Sequence, residues 1–132
     1  MPLSYMMRKV IAIVDDLFFA SKIRGAGEYA GAHVIFPRTT EALYDATRTE
    51  PIALVIVDLH NQRIDPFELA TTLKDDEQTR AIPLIGFFSH VHVEMRQAAL
   101  VAGFDQVMPR SAFVNRLAEI LSADSTDKNS IS

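Results

Sequence analysis

The sequence predicts an α/β domain, a doubly wound parallel sheet with helices on both faces. Three observations predict it. Short apolar runs alternate with stretches of helical period along most of the chain. The runs are continuous rather than alternating, as in strands buried on both faces. Two of them end abruptly in acidic residues, at the sheet edge where such folds place their ligands.

The elements follow in order. Val10 to Val14 is a β-branched run stopped by Asp15-Asp16. The first helix spans Phe18 to Ala30, weakened by Gly25 and Gly27. His33 to Phe36 is a second strand, bounded by Gly31 and Pro37, and Thr40 to Arg48 a second helix with Thr39 or Thr40 as its cap. Ile52 to Val57 is the third strand and ends at Asp58. The third helix has a clear start: Asp65 caps, Pro66 suits the first helical position, and Glu68 stands three residues after the cap. Ile82 to Phe88 is the fourth strand, and a helix from about His92 to Ala102 stops at Gly103. Gln106 to Met108 is a short fifth strand. A fifth helix starts near Ser111, with Phe113, Leu117, Ile120 and Leu121 on one face.

The 132 residues point to one domain, expected over 1–122, followed by a polar tail over 123–132 that reads as disordered. A hydrophobic share of 48% with 23% charged residues supports a packed core. The net charge of -4 gives no bulk attraction to nucleic acid. With no cysteine, disulfides, thiolate metal sites and cysteine nucleophiles are excluded. The longest apolar runs are too short to cross a membrane, and Met1 to Arg8 lacks the pattern of a signal peptide, so a cytoplasmic location is the expectation.

The acids carry the chemistry. A strand order of 2-1-3-4-5 makes strands one and three neighbours, and brings Asp15, Asp16 and Asp58 to one edge of the sheet. Like charges so close need compensation, and a hard divalent cation such as Mg²⁺ supplies it. A carboxylate there can also act as a nucleophile and become an aspartyl-phosphate. The competing reading is that Asp15 and Asp16 only cap the first helix.

VIAIVDD, Val10 to Asp16, resembles the first strand of bacterial response-regulator receiver domains. LVIVDL, Leu54 to Leu59, resembles their third strand with its phosphorylated Asp. IPLIGFFSH, Ile82 to His90, and GFDQVMPR, Gly103 to Arg110, resemble the fourth and fifth. The resemblance covers residues 8 to 122 and implies a flavodoxin-like fold. It implies Asp58 as phosphoacceptor, and a Mg²⁺ site built from Asp15, Asp16, Asp58 and the backbone carbonyl of His60. Arg110 stands where the family has a Lys and is the expected phosphate contact. The implied protein is a single-domain member of a two-component phosphorelay, not a metabolic enzyme. Its partners would be a histidine kinase or phosphotransfer protein and a downstream protein, with a homodimer compatible and no nucleic acid or membrane.

The sequence also departs from that pattern. The Thr or Ser that closes the fourth strand in the family is Phe88 here, which cannot donate a hydrogen bond and reads as core. The aromatic residue three positions before the Lys is Val107, and a Met-Pro pair after the acceptor is Asn61-Gln62. These changes leave the acidic side intact and alter the side that reads the phosphate. They raise an alternative, an atypical receiver that docks partners without phosphorylation. A hydrolase or flavin carrier on the same fold is disfavoured, since no Gly-rich phosphate loop or Ser-His-Asp arrangement is evident. His60, His90 and His92 fall on loops beside the acids and read as solvated. Phe18 and Phe19 are adjacent, and both are expected to be partly buried.

Overall fold

The computed structural model describes residues 7–90 and 93–122. The expected tail over 123–132 and His92 lie outside them. Five strands form one parallel sheet: β1 Arg8–Ile13, β2 Ala32–Ile35, β3 Leu54–Asp58, β4 Leu84–Phe88 and β5 Gln106–Pro109. Their order is β2-β1-β3-β4-β5, so β1 and β3 lie side by side as expected. The helices are α1 Leu17–Ala30, α2 Thr40–Thr49, α3 Pro66–Asp75, α4 Val93–Ala102, α5 Arg110–Asn115 and α6 Leu117–Ser122.

Successive strand residues point to opposite faces, and both faces are buried. Val10, Ala12, Leu54, Ile56, Ile85 and Phe87 pack under α1, α5 and α6. Ile11, Ile13, Val55, Val57, Leu84 and Phe88 pack under α2, α3 and α4. The continuous apolar runs of the sequence therefore serve two cores at once.

Local chemistry sets the helix starts. Asp16 Oδ1 accepts from Phe18 N at 2.9 Å and Phe19 N at 3.2 Å. Thr39 Oγ1 accepts from Ala42 N at 3.0 Å, and Asp65 Oδ1 from Phe67 N at 2.9 Å. Each oxygen satisfies a backbone donor that the first turn leaves unpaired. α1 runs through Gly27, which close packing demands: a Cβ there would meet Val34 Cγ2 at 2.7 Å and the Ala32 carbonyl oxygen at 3.1 Å. Gly31 then ends the helix at φ 80°, a left-handed conformation that suits glycine.

Three expectations need correction. β3 and β4 begin at Leu54 and Leu84 rather than at Ile52 and Ile82. Pro83 directly precedes β4, and proline has no N–H to give a ladder. The expected fifth helix is two short ones, α5 and α6, because Arg116 leaves helical geometry at φ -106°, ψ 7°; Phe113, Leu117, Ile120 and Leu121 are all buried nonetheless. Phe18 and Phe19 do not share their burial. Phe19 is 4% exposed and Phe18 91%, because the phase of α1 turns one ring to the core and the other to solvent. Among the described residues, no helix is long and apolar enough to cross a membrane.

Candidate functional site

The carboxyl ends of β1 and β3 carry the acids. Asp58 is the last residue of β3 and pairs across the ladder with Phe87 of β4. Its Oδ1 accepts from His60 N at 2.8 Å, and its main-chain oxygen accepts from Asn61 N at 3.0 Å and Asn61 Nδ2 at 2.9 Å. Burial pushes the Asp58 carboxyl above the ordinary carboxylate range, opposed by the His60 N–H and by the nearby charges of His60 and Arg110; the charge of Asp15 adds to the rise.

Asp15 and Asp16 sit in the β1–α1 loop and face different donors. Asp15 Oδ2 accepts from Gln62 N at 2.8 Å, and its Oδ1 lies 3.7 Å from Arg63 Nε. Asp16 Oδ1 caps α1, while its Oδ2 accepts from Arg110 Nη2 at 3.3 Å. The Phe19 N–H foremost, then Arg110 and the Phe18 N–H, hold the Asp16 carboxyl below its usual range against some loss of solvation. Asp16 thus caps α1 with one oxygen and meets Arg110 with the other.

Arg110 is the first residue of α5, directly after β5. Its guanidinium lies over the Phe19 ring, 3.9 Å from the centroid. Beneath it three rings pack together in the core on one face of the sheet. Phe19 meets Phe87 edge-on at 5.3 Å, and Phe87 stacks on Phe113 at 4.8 Å. The same guanidinium thus lies on an aromatic face and reaches Asp16.

The two arginines take up the charge of the acidic pair. Among the described residues, no group of three or more His, Asp or Glu side chains is placed to hold a metal ion. The His60 carbonyl, expected as a ligand, accepts from Gln62 Nε2 at 3.3 Å. Phe88, where the sequence pattern expects a hydroxyl, is 4% exposed and packs in the core with Val107. Ser89 next to it is exposed.

Sequence reasoning missed two residues. Asn61 is buried, and its Oδ1 accepts from Arg63 N at 3.1 Å and Ile64 N at 2.8 Å, which folds the loop after Asp58. Arg63 reaches Asp15 from that loop. An Asn three residues past a strand is a turn signal that could have flagged the first; the second is a contact across 48 positions with no local mark. His60 also departs from expectation. It is half-buried rather than solvated, with its ring against that of His90.

No protein-family model matches the sequence, and no curated protein matches it. Solved structures do. The phosphorylated cyanobacterial phytochrome response regulator RcpA matches with a TM-score of 0.74 at 16% identity, over 96% of this chain and 95% of the other. A CheY-like response regulator receiver domain protein from Methanospirillum hungatei JF-1 matches with a TM-score of 0.70 at 16% identity, over 87% and 94%. The fold is that of a response-regulator receiver domain. A third similar structure, a response regulator protein from Burkholderia pseudomallei solved with a phosphorylated aspartic acid, a calcium ion and citrate, gives a TM-score of 0.73 at 19% identity over 94% and 70%. Within this fold, Asp58 and the Asp15-Asp16 pair stand at the carboxyl ends of the adjacent strands β3 and β1.

Proposed function

We propose that this chain is a receiver-like signalling domain in which Asp58 accepts a phosphoryl group from a histidine kinase or phosphotransfer protein and acts through a downstream protein. The observation that carries the reading is the placement of Asp58. It ends β3, next to the strand that delivers Asp15 and Asp16, with one oxygen fixed by the His60 N–H. A carboxylate oxygen so held presents its other oxygen to phosphorus. The new O–P bond forms as the donor's N–P bond breaks, and the leaving imidazole keeps the electron pair and takes up a proton from solvent. Partial burial raises the energy of the charged carboxylate and so favours its consumption.

Asp15, Asp16, Asp58 and the His60 carbonyl are oxygen donors of the type that suits a hard divalent cation, Mg²⁺ above all. The acids are not gathered as a ready metal site and would have to leave Arg63 and Arg110 to close on the ion. Such an ion would neutralise the phosphoryl oxygens. Binding is weak on this reading, because Arg63 and Arg110 already sit on two of the acids. Arg110 is also the group nearest to serving the phosphoryl oxygens, its guanidinium being a planar fork where the family has a point charge. The phosphorylated relatives support the reading through their shared fold.

A second reading, docking independent of phosphorylation, is favoured by Phe88, whose ring fills the place of a hydroxyl that would follow the phosphate. Acetyl phosphate with Mg²⁺, followed by intact mass measurement, separates the two. One added phosphoryl group on the wild type and none on Asp58→Asn supports phosphotransfer. No addition to the wild type leaves the docking module, and a phosphate that survives in Asp58→Asn sinks the acceptor assignment.

A further inference from the structure

His60 has an unused nitrogen. Its Nε2 is shut off from solvent and has no hydrogen-bond partner among the described residues. A buried polar atom left so is uncommon, and a water or an ion is a usual answer to it. The ring beside it is another imidazole. His90, in the loop after β4, stands edge-on to His60 with centroids 6.0 Å apart and planes at 69°.

We propose that His60 and His90 form a two-imidazole site for a borderline transition ion, of the Zn²⁺, Ni²⁺ or Cu²⁺ class. The distance suits it. Metal–nitrogen bonds of about 2.0–2.1 Å hold two rings on one ion with centroids roughly 5–6 Å apart, and the exposed His90 ring has to swing aside to open the buried His60 nitrogen to the ion. One ligand is already oriented. The His60 main chain is pinned to Asp58 Oδ1, and Asn61 fixes the loop behind it. The other, His90, is exposed and supplies the entry side. Since no third His, Asp or Glu among the described residues joins such a group, water would complete the coordination and binding would be weaker than at a site with three protein ligands.

The site differs in kind from the carboxylate crevice. Nitrogen donors select transition ions and carboxylate oxygens select Mg²⁺. The proposal does not require that Asp58 be phosphorylated.

Calorimetric titration with Zn²⁺ in excess Mg²⁺, which keeps the oxygen donors engaged, tests it on the full chain. The wild type should bind one Zn²⁺, and His60→Gln and His90→Gln should each weaken binding at least tenfold. Cu²⁺ should show two nitrogen ligands by electron paramagnetic resonance, and one after either substitution. Melting curves verify that both variants fold; if His60→Gln does not, the exposed His90→Gln and the Cu²⁺ spectrum still decide. Absence of binding below millimolar Zn²⁺, binding that needs only one of the two histidines, or binding lost in Asp15→Asn while both histidine variants retain it overturns the site.

Discussion

Burial pushes the Asp58 carboxyl up while the α1 N–H groups and Arg110 pull Asp16 down, so the two acids make opposite contributions to the pH dependence of stability. For Asp58 the folded state holds its proton more tightly than the unfolded chain. Its favourable contribution is full below the ordinary carboxyl value of 3.8 and is lost as pH rises through the higher folded value. Asp58→Asn should therefore be more stable than the wild type at pH 7 without Mg²⁺, by a margin that residual solvent screening keeps small. Urea unfolding across pH should show the advantage vanish below the ordinary carboxyl range; an advantage that persists there would assign it to packing. Asp16 behaves in reverse, stabilising above the ordinary range and losing that contribution as pH falls through its depressed value. Arg110 supplies a second test at this scale. It competes with any cation for Asp16, so Arg110→Gln should lower the Mg²⁺ concentration that half-saturates the thermal shift. An unchanged midpoint would show that the guanidinium does not guard the site.

Among the elements, those with local signals were readable in advance. Asp65 and Pro66 announce α3 because a cap and its partners lie within three residues of one another. The acids of the site were readable for the same reason, each ending a run of apolar residues. The loop that closes the site was not. Arg63 finds Asp15, and Gln62 offers it an N–H, only after β1 and β3 pair. The break at Arg116 was hidden too, since the buried face of α5 and α6 keeps a helical period across it. Gly27 looked like a weakness in α1 and is a packing requirement. Gly27→Ala should cost about 1–3 kcal/mol through overpacking against Val34 and Ala32, against a helix-propensity gain of about 1 kcal/mol. Thermal melts decide the sign, and a net gain in Tm would mean β2 can give way.

Across the whole molecule, the face that would report a phosphate is part of the core. Phe88 and Val107 pack together on the α2–α3–α4 side of the sheet, and neither can hydrogen-bond through its side chain. A ligand shifts an equilibrium only by its differential affinity for two states. Beryllofluoride should then perturb amide NMR signals in the loops after Asp15, Asp58 and Phe88 and leave α4 and β5 nearly still. Shifts at β5 comparable to those at Asp58 would reveal a switch that works by another route. The pairing of Arg110 with Asp16 also bears on how the molecule is made. It spans 94 positions, and the aromatic stack under it joins Phe19 to Phe113. A chain emerging from the ribosome presents the acids of β1 and β3 early, yet the guanidinium and the last ring arrive only with its final quarter. Until then Asp16 lacks its Arg110 counterion and the Phe19 ring its cover, although Arg63 is already at hand for Asp15, and the loop-closure entropy of the longest contacts is still to be met. The Arg110 side of the crevice therefore depends on contacts of much longer sequence separation than the acidic side does.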